Sequence, residues 1–308
     1  MRIISLFSGA GGLDLGLIQA GHEIVWANDI DRDAVATYRN NIGNHIVHED
    51  IRNININDIP DADVVVGGFP CQGFSVANLR RNIDDERNFL YRYFYNTIRI
   101  KQPLFFIAEN VKGILSLEGG AVIAQILDDF RHAGYIVELH KVNMADYGIP
   151  QHRERVIIIG QRQDLGEAIL FHFPEKTHSR NNNDGLPRWR SIRDAIDNLP
   201  PVDADNGDPN NVYSHYRVNI RNFTAHRATN PDKPSPTILA RGNGKGGVCA
   251  IPHYNGLRRL SVRESACVQT FPMNFIFSGN LGSCYRQIGN AVPVEFGRLL
   301  GESLIEIE

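Results

Sequence analysis

Short, continuous apolar runs constrain the fold of this chain more than any other feature. They lie at 3–7, 24–27, 64–66, 104–108 and 156–159, and amphipathic stretches separate them, such as the one through Leu13, Leu17 and Ala20. Strands that are apolar on both faces and alternate with helices are typical of a parallel sheet covered on both sides. We therefore predict a doubly wound α/β domain.

The sequence pattern changes near residue 177. Alternation of strands and helices fades there into a stretch rich in proline and turn residues, which still carries apolar clusters such as Thr237-Ile238-Leu239. Helical periodicity returns after Ser283. We predict a larger domain formed by residues 1–176 plus 283–308, and a smaller, loop-rich domain formed by residues 177–282.

Composition excludes several classes of protein. The 308 residues contain four scattered cysteines (Cys71, Cys249, Cys267 and Cys284), no signal-peptide pattern and no apolar run of membrane-spanning length. The net charge of −3 conceals an asymmetry, because residues 177–272 carry +5 and the remainder −8. A basic segment in an acidic protein indicates a polyanionic partner, with ordinary surface scatter as the alternative. We expect a cytoplasmic protein that is not membrane-bound.

A glycine-rich turn, FSGAGG at 7–12, separates the first strand from the first helix. Glycines let a ligand approach the backbone closely, although the spacing is not that of a dinucleotide fingerprint. Asp29 ends the second apolar run, where a carboxylate can accept hydrogen bonds from ribose hydroxyls, and Asp50 could accept one from an adenine amine. Each carboxylate alone is more often a helix cap or a surface charge. Together with the turn they favour a nucleotide-type cofactor site.

A second group of reactive side chains follows later strands. Cys71 lies in the turn GGFPC after the run at 64–66, where its thiolate could act as a nucleophile; a small core residue is the alternative. Glu109 follows the run at 104–108 and could donate a proton at the same sheet edge. Arg153 and Arg155 precede the last run on one side of extended chain, which suits a carbonyl or phosphate, or a solvated rim.

Six motifs in a fixed order resemble those of the DNA (cytosine-5) methyltransferases of bacterial type II restriction–modification systems. They are FSGAGG at 7–12, GFPCQ at 68–72, ENV at 109–111, QxRxR at 151–155, RExxxxQxFP at 263–272 and QxGNAVP at 287–293. The resemblance spans the chain apart from residues 177–256. It implies a Rossmann-like methyltransferase domain dependent on S-adenosylmethionine, with residues 177–282 as a target-recognition domain.

The resemblance also implies a cofactor site without a metal. S-adenosylmethionine would bind there and leave as S-adenosylhomocysteine. The family usually has glutamate at its ribose-binding position, where this chain has the shorter Asp29. The implied contacts are Phe7, Gly9, Ala10, Gly12, Asp29, Ile30, Asp50, Ile51, Pro70, Leu90, Asn290 and Val292.

The chemistry that the resemblance implies begins with addition of the Cys71 thiolate to C6 of a cytosine. Glu109 would donate to N3 and Arg155 would hold O2, so that C5 can accept the methyl group. Asn110 would position the Glu109 segment, and Arg153 a mobile loop. A stacked base is out of reach, so the cytosine must be flipped out of the duplex. Implied DNA contacts are Ser75, Arg80, Arg81, Thr237 and Arg241.

The expected partner is double-stranded DNA, with host protection as the biological role. A cognate restriction endonuclease would be paired functionally, without a stable complex, and the protein would be a monomer near the nucleoid.

Four alternative functions remain. The first is an oxidoreductase, which gives Cys71 and Glu109 no role, and the second is an exocyclic-amine methyltransferase, although Pro200-Pro201 precedes Val202 rather than an aromatic residue. The third is a tRNA cytosine-5 methyltransferase, and the fourth is an inactive DNA-binding module.

Overall fold

The structure is a computed structural model that describes residues 1–70, 89–166, 171–181, 185–202, 207–215, 229–240 and 251–304. Five of the predicted site residues lie outside these ranges, namely Cys71, Ser75, Arg80, Arg81 and Arg241. Within the described part of the chain, no helix is long and apolar enough to cross a membrane.

Seven strands form one sheet in the order β3-β2-β1-β4-β5-β7-β6. The first apolar run becomes a strand that stops one residue short of the prediction, because Phe7 turns the chain with a positive φ of 57°. The strands are β1 (Arg2–Leu6), β2 (Glu23–Asp29), β3 (Ile46–His48), β4 (Val64–Gly67), β5 (Phe105–Val111), β6 (Tyr135–Asn143) and β7 (Glu154–Arg162).

The sheet is mixed, so the prediction of a parallel sheet is correct for β1 to β5 and wrong for β7. This strand runs antiparallel to both β5 and β6. The connection from β6 to β7 contains only a short 3-10 helix, Met144–Tyr147, and reverses at Gly148 with φ 77°. A parallel pair needs a crossover, usually a helix, whereas so short a connection reverses the direction of the chain.

Helices cover both faces of the sheet. One apolar layer contains Leu17 of the first helix and Phe296 of the last, and the other contains Phe94 and Phe130. The predicted α/β architecture is therefore confirmed. The helices are α1 (Gly12–Gln19), α2 (Arg32–Asn41), α3 (Phe89–Lys101), α4 (Ala121–His132), α5 (Ile192–Ile196), α6 (Val262–Val268), α7 (Leu281–Asn290) and α8 (Val294–Glu302).

A third apolar cluster joins distant parts of the chain. It contains Ile192 of α5, Ile238, Ala266 of α6 and Ile288 of α7. The helix α6 begins with a capping box, in which Ser261 and Glu264 satisfy each other's backbone N–H groups. This cluster brings the segment around Ile238 against the last two helices, beside the carboxyl edge of the parallel strands.

Candidate active site

A cavity of about 720 Å³ opens at the carboxyl edge of β1, β2, β4 and β5. In open α/β sheets this edge is where ligands bind, since loops leave the strands there and leave a crevice. Its volume lies within the range of small-molecule sites. Residues from the glycine turn, from the ends of β2 and β5, and from segment 286–292 contribute to its wall.

The glycine turn and the end of β2 are held together by the carboxylate of Asp29. Its two oxygens accept hydrogen bonds from the backbone N–H groups of Gly9 and Asp31, each at 2.8 Å. Burial raises the pKa of this carboxyl above its usual range. A Cβ atom on Gly12 would lie 2.3 Å from the carbonyl oxygen of Val292, so glycine alone allows the turn to approach that segment.

Eleven of the twelve predicted cofactor residues line this cavity. The exception is Ala10, whose side chain is buried in the third apolar cluster because it points away from the cavity side of the turn. The eleven are Phe7, Gly9, Gly12, Asp29, Ile30, Asp50, Ile51, Pro70, Leu90, Asn290 and Val292.

Asp50 is the N-cap of the 3-10 helix Ile51–Asn53. Its carboxylate accepts hydrogen bonds from the Arg52 side chain, including one of 2.6 Å from Nη2, and this contact lowers the pKa of Asp50. The Asp50 carboxylate is therefore ionised at the cavity wall, where it is already bonded to the Arg52 guanidinium.

Glu109 and Arg155 also line the cavity, where they form an ion pair. The Arg155 Nε atom lies 2.7 Å from Glu109 Oε1, although the two are not aligned as a hydrogen bond. The neighbouring Asn110 donates its side-chain amide to the carbonyl oxygen of Phe69 at 2.9 Å. Asn110 thus ties the end of β5 to the chain two residues before Cys71.

Arg153 points into the protein rather than toward a solvated rim. Its side chain is fully buried, and its guanidinium donates to the carbonyl oxygens of Ile238, Gly289 and Ala291 at 3.0–3.1 Å. Burial, together with the positive charge of Arg155, lowers the pKa of Arg153 to about 9. Arg153 lines the inner wall of the cavity and joins three segments of backbone.

Thr237 is half-buried, and its hydroxyl donates to the carbonyl oxygen of His152 at 2.6 Å. This bond sets the segment before Ile238 beside the start of β7. Thr237 is thus bonded to the residue that directly precedes Arg153, which lines the cavity.

Several wall residues were missed by the sequence analysis. Arg286 pairs with Asp31 at 2.8 Å, and both line the cavity. Asp14 lies behind the glycine turn, where it accepts hydrogen bonds from Ser5 (2.7 Å) and Tyr38 (2.8 Å). The motif QxGNAVP could have pointed to Arg286, which directly precedes it; nothing local in the sequence marks the contacts of Asp14.

Comparison with known proteins shows the family of the chain. The family model of the C-5 cytosine-specific DNA methylases matches residues 1–306. The chain is 39% identical to the type II methyltransferase M.NgoFVII of Neisseria gonorrhoeae, covering 99% of this chain and 87% of that protein. It is also 39% identical to M.BspRI of Lysinibacillus sphaericus, covering 99% and 81% respectively.

Solved structures share the fold over nearly the whole chain. A protein described as a DNA modification methyltransferase encoded within an E. coli prophage has a TM-score of 0.75 and 25% identity, with 98% of each chain covered. DNMT2 of Spodoptera frugiperda, at 19% identity and a TM-score of 0.71, covers 98% of this chain and 99% of its own, and shows the same fold. On these findings, the chain belongs to the family of C-5 cytosine-specific DNA methylases.

Proposed function

We propose that this protein transfers a methyl group from S-adenosylmethionine to C5 of a flipped-out cytosine in a specific duplex DNA sequence. We further propose that this modification protects host DNA from a cognate restriction endonuclease, the role that the names of the type II relatives suggest. The observation that carries the chemistry is the ion pair of Glu109 and Arg155, on the cavity wall beside the segment that leads into Cys71.

The residues of the cavity fit S-adenosylmethionine, which when bound would supply an electrophilic methyl group. Asp29, at the end of β2, has carboxylate lone pairs beyond those used by Gly9 and Asp31 and would accept hydrogen bonds from the ribose. Asp50 would accept the adenine amine beside its contact with Arg52. Phe7 and Val292 would supply apolar contact on either side of the glycine turn.

Cys71 would supply the nucleophile. The support for this proposal is that Pro70, which directly precedes Cys71, lines the cavity and that Asn110 holds the carbonyl of Phe69. The thiolate would add to C6 of the cytosine as Glu109 donates a proton to N3. The electron pair of the C5–C6 double bond then becomes available at C5, which attacks the methyl carbon.

Arg155 would stabilise the same base from its carbonyl side. Its Nε pairs with Glu109 and its Nη1 donates to the carbonyl oxygen of Glu154 at 2.8 Å, while Nη2 would donate to the O2 atom of the cytosine, where negative charge develops. Transfer of the methyl group breaks its bond to sulfur, and S-adenosylhomocysteine would be left with that electron pair. A water molecule or hydroxide then takes the C5 proton, whose electron pair returns to the C5–C6 bond. Cys71 Sγ leaves with its own electron pair, the N3 proton returns to the Glu109 carboxylate, and 5-methylcytosine remains.

Residues 177–282 would read the DNA. The basic charge of this part of the chain suits phosphate contacts, and the half-buried Thr237 bonds His152, which directly precedes the cavity residue Arg153. We propose Thr237 and Arg241 as DNA contacts from this segment. Ser75, Arg80 and Arg81 would contact DNA from the other side, within segment 73–88.

Covalent trapping tests the proposed chemistry. Duplex DNA amplified from a genomic template with 5-fluorodeoxycytidine triphosphate carries fluorine at C5, which cannot leave as the proton does. With S-adenosylmethionine present, the wild type should form a protein–DNA adduct that survives denaturing electrophoresis. Cys71→Ala should form none, whereas Cys267→Ala, at a half-buried thiol outside the cavity, should form as much as the wild type. An adduct with Cys71→Ala, or none with the wild type, would overturn the mechanism.

A further inference from the structure

Gln269, directly after α6, has no contact with the cavity, yet its side chain is bonded to two segments that matter for function. It is fully buried, and its amide nitrogen donates to the carbonyl oxygens of Ile288 (2.6 Å) and Ala291 (3.1 Å). Its amide oxygen accepts a hydrogen bond from Gln151 Nε2 at 2.7 Å. Both amide protons and the oxygen are thus engaged.

Gln151 continues this chain of hydrogen bonds toward the proposed DNA side. It is also fully buried, and its amide oxygen accepts the backbone N–H of Ile238 at 2.9 Å. Because a backbone N–H can only donate and the carbonyls of α7 can only accept, both glutamine amides have a single orientation that satisfies every partner. The two side chains therefore form a directed connection from Ile238 to Ala291.

A parallel connection runs through Arg153. Its guanidinium bonds the carbonyl oxygen of Ile238 as well as those of Gly289 and Ala291, so both polar groups of residue 238 are held. The backbones are also in close contact, since a Cβ atom on Gly289 would lie 2.4 Å from the backbone nitrogen of Ala240. Segment 237–240 cannot shift relative to segment 289–291 without breaking these bonds.

These two segments face different ligands in the proposed function. Asn290, Ala291 and Val292 line the cofactor cavity, and the half-buried Thr237, a proposed DNA contact, is bonded to His152 at the start of β7. We propose that Gln269 is a positioning residue that couples the two sites, so that an occupied cofactor cavity sets the position of Thr237 and Ile238 toward DNA. This inference rests on the proposed function, because it requires that both ligands bind.

The coupling is a measurable quantity. Since linkage is reciprocal, DNA must tighten the binding of the cofactor product by the same factor by which that product tightens the binding of DNA. We would measure the dissociation constant of S-adenosylhomocysteine by calorimetry, with and without saturating, sheared, unmethylated genomic DNA. The ratio of interest is the dissociation constant without DNA divided by that with DNA. In the wild type we expect this ratio to be about 5 or more, within the usual range of coupling between sites.

Gln269→Met removes the hydrogen bonds while keeping the length of the side chain. The ratio should fall to about half or less of its wild-type value, not to 1, because the connection through Arg153 remains. The affinity for S-adenosylhomocysteine alone should stay within about 3-fold of wild type, because Gln269 does not touch the cavity. The double variant Gln151→Met/Gln269→Met removes the Gln151 donor that the single change leaves unpaired but leaves the Ile238 N–H without its acceptor, so we expect no gain in stability and the same reduced ratio.

Gln161→Met is the matched control. Gln161 is another buried glutamine, which bonds the carbonyl oxygen of Gly166 and the N–H of Phe171 at the far end of β7. Its replacement should lower stability and keep the wild-type ratio. A wild-type ratio in folded Gln269→Met overturns the inference. Failure of the wild type to methylate DNA at all would instead overturn the proposed function.

Discussion

Arg155 Nε lies 2.7 Å from Glu109 Oε1 because β7 runs antiparallel to β5. In the register of these strands, Val111 faces Arg155 and Glu109 faces Ile157, so the two charged residues are diagonal neighbours. Arg155 stands near the start of β7 and Glu109 near the end of β5. A parallel β7 would have put the arginine at the opposite edge of the sheet, away from the cavity.

Breaking this ion pair should affect the chemical step. Arg155→Lys keeps the charge but loses the planar fork that can bond Glu109 and a base carbonyl together, so we expect kcat to fall roughly 100- to 1,000-fold. Arg162→Lys, at an exposed ion pair with Asp164 at the other end of β7, should leave kcat near wild type. Methyl transfer to DNA under saturating cofactor measures both. Equal kcat values for the two variants would contradict the assigned role of Arg155.

Asn110 should matter through the chain that it holds. Asn110→Ala removes the bond to the Phe69 carbonyl, two residues before Cys71, and we expect kcat to fall about 10- to 100-fold through misplacement of the nucleophile. Affinity for S-adenosylhomocysteine should be unchanged. Asn40→Ala, which removes an exposed amide bonded to Ser278, provides the comparison. A cofactor affinity that falls together with kcat would mean that Asn110 shapes the cavity instead.

Asp29 should determine cofactor affinity. Replacing it with alanine removes a charged acceptor and releases the N–H groups of Gly9 and Asp31, so we expect S-adenosylhomocysteine to bind roughly 10- to 100-fold more weakly. Calorimetry on the isolated protein measures this without DNA. Asp128→Ala, at an exposed position on α4, should have no effect. Unchanged affinity in Asp29→Ala would move the ribose site elsewhere.

Asp14 should make the free energy of unfolding depend on pH. Burial raises the pKa of this carboxyl from 3.8 to about 6, despite hydrogen bonds from Ser5 and Tyr38. A raised pKa in the folded state means that its stabilising contribution is complete below about pH 3.8 and is lost as the pH rises through about 6. Relative to Asp14→Asn, the wild type should lose about 2 kcal/mol of stability between pH 4 and pH 7.

Urea unfolding across that pH range provides the measurement. His45 needs separate treatment, because its Nε2 lies 3.0 Å from the Tyr38 hydroxyl and its own pKa is lowered by burial. The comparison is therefore repeated in a His45→Gln background. There, the pH-dependent difference in the free energy of unfolding between the proteins with and without the Asp14→Asn substitution should persist. Parallel stability curves in both backgrounds would show that Asp14 does not titrate in this range.

Local sequence signals were sufficient for the core strands but not for the sheet's direction. Continuous apolar runs mark β1, β2, β4, β5 and β7, since these strands are covered on both faces. β3 has three residues and β6 mixes exposed with buried positions, so neither has such a run. The direction of β7 depends on the length of a connection that has no apolar pattern.

In the candidate site, too, some residues could be predicted from the sequence and others could not. Residues at strand ends, such as Asp29 and Glu109, could be identified because the carboxyl edge collects them whatever the details of packing. Gln269 and Asp14 could not be assigned a role, because their partners lie 118 and 24 residues away and only the packed fold brings them together. The burial of Arg153 is of this kind too, since its carbonyl partners come from two distant segments.

Transfer of a tritiated methyl group from S-adenosylmethionine tests the central claim most directly. Unmethylated genomic DNA and bulk tRNA would be offered in parallel to the wild type and to Cys71→Ala. We predict label in DNA as 5-methylcytosine with the wild type, none with Cys71→Ala, and none in tRNA with either protein. Label in tRNA alone, or an equal yield from Cys71→Ala, would contradict the account.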